Sequence, residues 1–181
     1  MIKAIAFDLI RVLVKIKNVS FTTIEDKLSD EFNYKVGDEL YWDWAQKVTG
    51  ENLIKTKEIC WRIINKIYEI NEPDLFSKIP QLKFVVASNH LSMIKDWLKG
   101  KEVYDSFYSL VVSEDIKCQK PDLEFFEILI EKIGEKPEEI LFVDDHTENI
   151  EGASKAGLQT LHYNGSRLLS EEISGYLKNE R

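Results

Sequence analysis

From Leu82 onward the chain alternates between two periods, and this alternation constrains the fold more than any other feature. "LKFVVAS" reads as a strand, "LSMIKDWLK" as a helix, "SFYSLVVS" as a strand and "PDLEFFEILIEKIG" as a helix; "EILFVDD", "ENIEGASKAG", "LQTLHY" and "SEEISGYLK" then continue strand, helix, strand, helix. Strands separated by helices require right-handed crossovers, so the expected sheet is mostly parallel and covered by helices on both faces. "IKAIAFDLIRVLV", Ile2–Val14, has the apolar, Val- and Ile-rich look of one more buried strand in that sheet.

The stretch from Ser20 to about Ile70 does not alternate. "SFTTIEDKLSDEF" opens on a Ser cap, "VGDELYWDWAQKVTG" closes on Gly50, and "KTKEICWRIINKIYEI" is a third amphipathic run. The expectation is an α/β fold: a three-layer α/β/α, Rossmann-like parallel sheet formed by 1–15 and 80–181, with a helical segment, 16–79, inserted after the first strand. Ligands of open α/β sheets bind beyond the carboxyl ends of the strands. An insertion leaving from that end stands over the site as a lid.

Composition limits the partners. With 44% apolar and 31% charged residues the chain is globular, and it has no apolar run near the ~20 residues of a membrane span. The opening "MIKAIAF" is too short an apolar segment for a secretory leader, so a cytoplasmic location is expected. Cys60 and Cys118 have no metal-ligand spacing and read as thiols. A formal charge of −8 argues against a nucleic-acid backbone as partner, though it leaves room for a small anion held in one local pocket.

Four polar clusters fall at predicted strand ends. Asp8 follows "IAF", Ser88-Asn89-His90 follows "FVVA", Lys120-Pro121 comes shortly after "LVV", and Asp144-Asp145 follows "ILFV". Each has a plain local explanation: a turn at Asp8, helix caps at Ser88, Asn89, Asp145 or Thr147, and Pro121 as a first helical residue. Together they predict one crevice, because the carboxyl ends of neighbouring parallel strands converge. Two carboxylates ~4 Å apart repel by about 4 kcal/mol at an effective dielectric of 20. Three therefore call for a hard divalent cation, and Mg²⁺, which keeps waters and takes a phosphate oxygen, suits an oxygen-ligand site. Lys120 and the Ser88 hydroxyl would hold the phosphate.

With those residues in view, the chain resembles the haloacid dehalogenase superfamily of Asp-nucleophile hydrolases, in its small-helical-cap form. The resemblance rests on "AIAFDLIRVLV", "VVASNH", "KCQKPDLEFF" and "EILFVDDHTENIEGASKAGLQTL", and covers Ile2–Val14 and Leu82–His162. It implies Asp8 as a nucleophile that forms an aspartyl-phosphate, Ser88 and Asn89 as holders of the phosphoryl group, and Lys120 as the cation that neutralises nucleophile and phosphate. It also implies Mg²⁺ bound by Asp8, the Ile10 carbonyl and Asp145, with Asp144 adjacent, Asn149 orienting the fourth loop, and a small phosphorylated metabolite as the partner. The helical insertion resembles the cap that gates such sites. Oligomeric state is not readable from the sequence.

The first motif departs from the pattern. Members of this family that act as phosphatases usually carry a second Asp two residues after the nucleophile, as proton donor; here that residue is Ile10, followed by Arg11. Three readings stay open: a Mg²⁺-dependent phosphatase that is slow, restricted to good leaving groups, or supplied with an acid from elsewhere; a dehalogenase, against which Asp144 and Asp145 count; and a pseudo-enzyme that only binds a phosphorylated ligand or a protein. Arg11 either clamps an anion or points to solvent. His90 and His146 are expected as solvated loop residues, with substitute acid as the alternative. Tyr41, Trp42, Trp44, Trp61 and Tyr68 are expected to form the core of the inserted helices.

Overall fold

The computed structural model describes residues 1–32 and 37–179. Val36, where the second helical run is expected to open, lies outside the described residues. Strands β1 (Ala4–Phe7), β4 (Lys83–Ser88), β5 (Phe107–Val112), β6 (Ile140–Asp144) and β7 (Gln159–His162) form one sheet in the order β5-β4-β1-β6-β7. Every neighbouring pair in it is parallel. β1 sits at the centre. The chain builds outward from it to β4 and β5, then returns to its other side for β6 and β7. The carboxyl ends of β1, β4 and β6 therefore meet where the winding reverses.

Period-two alternation assigns the two faces. Ala4 and Ala6 of β1 join Val85, Ala87 and Phe142 under the helices α7 (Leu123–Ile133) and α8 (Thr147–Lys155), through Phe125, Phe126, Leu129 and Ala153. Ile5 and Phe7 point the other way, with Phe84, Val86, Leu141 and Val143. That face is covered by α5 (Met93–Lys99) and α9 (Leu169–Asn179), through Trp97, Leu98 and Ile173. Alanines at positions 4, 6 and 87 leave room for Phe125 and Phe126 of α7 to pack on the sheet, where Phe126 meets Phe142 of β6 edge-on. Each fully buried Phe or Leu in these layers contributes about 1.5–3 kcal/mol. The three-layer α/β/α architecture expected from the alternation is the one found.

The first strand is shorter than its apolar run. Ile2–Val14 was expected as a single strand, but β1 ends at Phe7, the last residue with ladder partners on both sides, Val86 and Val143. Leu9, Ile10, Val12 and Leu13 are buried all the same, in a turn closed by Val14 N–H donating to Leu9 C=O at 2.8 Å and Arg11 N–H donating to Val14 C=O at 2.6 Å. Burial, and not strand geometry, explains their apolarity.

The inserted segment leaves through β2 (Val14–Ile16) and returns through β3 (Tyr68–Ile70), which pair antiparallel. Tyr68–Ile70, read as the end of a helix, is thus a strand, and α3 (Leu53–Ile67) stops before it. The first inserted helix, α1 (Thr23–Asp30), is capped by Thr22 and not by Ser20. Glu25, three residues after Thr22, completes a capping box that Ser20 lacks a partner to form. α2 (Gly37–Thr49) ends as expected before Gly50, which takes φ +69. Among the expected core aromatics, Tyr41, Trp42 and Tyr68 are buried and Trp44 partly so, but Trp61 is 39% exposed. Their apolar cluster is continuous with the sheet face carrying Phe7 and Trp97, so the insertion packs down on the α/β layers. Cys60 is buried against Tyr41, and both cysteines are free thiols. Among the described residues, no helix is long and apolar enough to cross a membrane.

Candidate active site

Asp8 is the first residue beyond β1, and its N–H still donates to Val143 C=O at 2.8 Å, so the adjacent strand fixes its backbone. Its side chain is 11% exposed. One buried lysine holds it: Lys120 Nζ donates to Asp8 Oδ1 at 2.6 Å and to Asp144 Oδ2 at 2.7 Å. The crevice expected from the strand ends is present, with residues 112 and 24 positions apart in sequence brought onto one ammonium group. Asp8 Oδ2 accepts no hydrogen bond among the described residues, which leaves one carboxylate oxygen unengaged.

Burial pushes the Asp8 carboxyl up to about 6; Lys120 opposes the rise, and Asp144 and Asp145 add to it. Burial also works against the charge on Lys120, but Asp8 and Asp144 outweigh it, and the lysine pKa is raised. Burial is the main cause, and crowding adds to it: two carboxylates share one buried lysine with a third nearby, a deficit that a cation or a protonation relieves.

Lys120 is itself held in place. Its backbone N–H donates to Asn89 Oδ1 and its carbonyl accepts from Asn89 Nδ2, both at 2.9 Å. Asn89, expected at the phosphoryl group, has its amide committed to the Lys120 backbone. The loop also depends on Gly152 of α8: a Cβ there would lie 2.6 Å from the Pro121 carbonyl oxygen and 2.8 Å from Phe126 Cε2.

The adjacent aspartates differ. Asp144, the last residue of β6, is fully buried, and its oxygens accept from Lys120, from His146 N–H at 2.8 Å, and from Asn149 Nδ2 at 3.0 Å to each oxygen. That carboxylate is saturated with donors, and Asn149 is one of them. Asp145, one residue past the strand, is 15% exposed in its side chain. Its Oδ1 meets His146 Nδ1 at 2.8 Å, its Oδ2 lies 3.8 Å from Arg11 Nη1, and its backbone carbonyl lies 2.9 Å from His162 Nε2. Potential ligand atoms of Asp144, Asp145 and His146 lie within 4.8 Å of one another.

Ser88, at the end of β4, is 1% exposed, and its Oγ has no hydrogen-bond partner among the described residues. A buried hydroxyl without a partner costs about 1–3 kcal/mol, and this one lies at the carboxyl end of β4, the same end of the sheet as Asp8 and Asp144. Ile10 is 8% exposed and brings no proton, while its carbonyl accepts no hydrogen bond among the described residues. Helix capping does not account for these clusters, since neither α5 nor α8 receives a side-chain cap bond.

His90 departs from expectation. It is buried, not solvated: Nε2 lies 3.2 Å from Tyr68 Oη and Nδ1 lies 3.1 Å from Leu91 C=O. Because a carbonyl only accepts, the proton sits on Nδ1, and Nε2 accepts from the Tyr68 hydroxyl. Burial lowers the His90 pKa to about 4, and burial also raises that of Tyr68. His90 is thus a neutral post that joins the insertion to the sheet. Leu91 N–H donating to Phe32 C=O at 3.4 Å, Ser92 N–H donating to Asp38 Oδ1 at 2.9 Å, and a Ser92 Oγ hydrogen bond to Asp38 Oδ2 extend that junction. Sequence reading missed Phe32 and Asp38, and nothing in "VGDEL" distinguishes Asp38 from an ordinary first-turn acid.

The family profile of haloacid dehalogenase-like hydrolases matches residues 80–163. Over 97 residues, 49% of the chain, it is 34% identical to glyceraldehyde 3-phosphate phosphatase of Methanopyrus kandleri. Over 98 residues, 51% of the chain, it is 26% identical to (S)-2-haloacid dehalogenase 4A of Burkholderia cepacia. These matches span only 41% and 42% of the two relatives. A HAD family enzyme of Bacteroides thetaiotaomicron, solved in complex with magnesium and inorganic phosphate, superposes with a TM-score of 0.72 at 18% identity, covering 92% of this chain and 96% of that one. The match of residues 80–163 and the likeness of the fold support membership of the haloacid dehalogenase superfamily.

Proposed function

We propose that the protein is a Mg²⁺-dependent phosphatase that acts on a small phosphate monoester through a phospho-aspartate at Asp8. The observation that carries this reading is the Lys120 ammonium held between Asp8 and Asp144 beside the unpartnered Ser88 hydroxyl. The phosphate complex of the Bacteroides enzyme and the phosphatase among the relatives agree with it. In this reading, residues 16–79 form the cap, and the ligand is a cytoplasmic metabolite rather than nucleic acid or membrane.

Asp8, the Ile10 carbonyl and Asp145 would hold Mg²⁺, which when bound supplies positive charge to the phosphoryl oxygens and relieves the carboxylate crowding. Asp144 keeps Lys120 in place instead of binding the ion, because its lone pairs are already engaged. Lys120 and Ser88 Oγ orient the phosphoryl group. Asp8 Oδ2 attacks phosphorus, the bond to the leaving oxygen breaks, and that oxygen keeps the electron pair. Water then attacks phosphorus, frees the Asp8 carboxylate and releases inorganic phosphate. Ile10 cannot protonate the leaving oxygen, so esters whose leaving groups depart as anions are the favoured substrates.

The buried Ile10 is also the observation that favours the second reading, a protein that binds a phosphorylated ligand without turnover. A phosphate-ester panel assayed with Mg²⁺ and with chelator, alongside Asp8→Asn, separates the readings. Metal-dependent release of phosphate, lost in the variant, is expected. Halide release from a 2-haloacid in the presence of chelator, or phosphate binding with no turnover on any ester, would overturn the proposal.

A further inference from the structure

Arg11 occupies a position that ordinary residues avoid. Its φ is +70, in the left-handed region disfavoured for side chains other than Gly, Asn and Asp, and its N–H is tied to Val14 C=O. This backbone lets the loop after Asp8 turn back on itself. Although the side chain is 64% exposed, the guanidinium lies over the carboxylate that the preceding reading gives to the metal, with Nη1 3.8 Å from Asp145 Oδ2.

The charges explain why it stays there. Lys120 is committed to Asp8 and Asp144 and does not contact Asp145. The remaining side-chain partner of Asp145 is His146, through Oδ1. Without Arg11, three carboxylates would face a single lysine; with it, the site is one charge short of balance. Ile10 removes a further acid from the position two residues after Asp8. The result is a divalent-cation site with fewer negative charges than its geometry allows, and with a resident cation on its most accessible carboxylate.

We infer that Arg11 competes with the divalent cation for Asp145 and sets the affinity of the site for metal. The inference rests on the metal reading given above, and it concerns binding, so it is read without turnover. Mg²⁺ affinity is measured by isothermal titration calorimetry, and Mn²⁺ affinity by the electron paramagnetic resonance of free Mn²⁺, both at low ionic strength. Arg11→Gln, which removes the charge, and Arg11→Gly, which also suits the backbone, are expected to bind both ions about ten-fold more tightly; that is the scale of repulsion between a single and a double positive charge about 5 Å apart in water. Arg11→Lys is expected to behave like the unaltered protein, and added KCl should narrow the difference.

Unchanged or weaker binding in Arg11→Gln and Arg11→Gly, with binding abolished by Asp145→Asn, overturns the role of Arg11 and leaves the metal site standing. No binding of either ion to the unaltered protein or to any Arg11 variant overturns the metal reading and this inference with it.

Discussion

Replacing Ile10 with aspartate places a proton donor two residues after the nucleophile, on a backbone that already turns there. Stability should fall first. Ile10 is 8% exposed, and giving up its burial costs about 2 kcal/mol. The new carboxylate also enters a site that already holds Asp8, Asp144 and Asp145. One such neighbour at about 8 Å adds about 2 kcal/mol of repulsion at an effective dielectric of 20. A loss of about 4 kcal/mol is a large part of the 5–15 kcal/mol that a domain of ordinary stability has, so the metal-free variant should melt well below the parent. Mg²⁺ at a hundred times its dissociation constant returns about 2.7 kcal/mol. Its stabilising effect should be greater in the variant, which has one more negative charge near the ion.

Catalysis should change selectively. General acid assistance is worth about 10²–10⁴-fold where the leaving group needs a proton, and little where it does not. With Mg²⁺ present, Ile10→Asp is therefore expected to raise kcat/KM on alkyl phosphates by about 10²-fold or more, while 4-nitrophenyl phosphate changes by less than about ten-fold. The assay pairs phosphate release on both substrate types with circular dichroism and melting curves, so that an unfolded sample is recognised as such. A folded, Mg²⁺-binding variant that gains nothing on alkyl phosphates would refute the account of Ile10.

Two further outcomes follow from the packing around the site. His90 is held neutral when folded: burial lowers its pKa from 6.5 to about 4, so below pH 6.5 the unfolded chain binds a proton that the folded chain refuses. Its contribution, about 3 kcal/mol, is full above pH 6.5 and is lost as the pH falls toward 4. Urea unfolding at pH 7 and pH 4.5 should show His90→Gln losing about 2 kcal/mol less on acidification than the parent, and an equal loss in both would remove His90 from the explanation. Gly152→Ala drives a methyl group into the Pro121 carbonyl and the Phe126 ring, with an expected destabilisation of about 1–3 kcal/mol by denaturant titration; a change under about 0.5 kcal/mol would mean that the Lys120 loop does not depend on that close approach.

The parallel sheet was legible because strand and helix periods alternate from Leu82 onward, and because helical crossovers leave successive strands parallel. What the sequence carried poorly was the partner of each polar group. Asn89 looks like a phosphate ligand until the Lys120 backbone, 31 residues away, takes both ends of its amide. His90 looks solvated until Tyr68, 22 residues earlier, closes over it. β2 and β3 are three residues each, too short for a period to emerge, and they exist because the two ends of the insertion meet. The paired aspartates show the limit most sharply. "VDD" offers two chemically identical side chains, and their division of labour is set by where β6 stops. Asp144 still pairs with His162 in the ladder and is directed into the interior, where only a group saturated with donors can remain charged. Asp145, one residue later, is released from the ladder and keeps its carboxylate near the surface, within reach of Arg11 and of an ion arriving from solvent. One residue of strand length, fixed by the neighbour β7, thus separates a buried, donor-saturated acid from one that faces solvent.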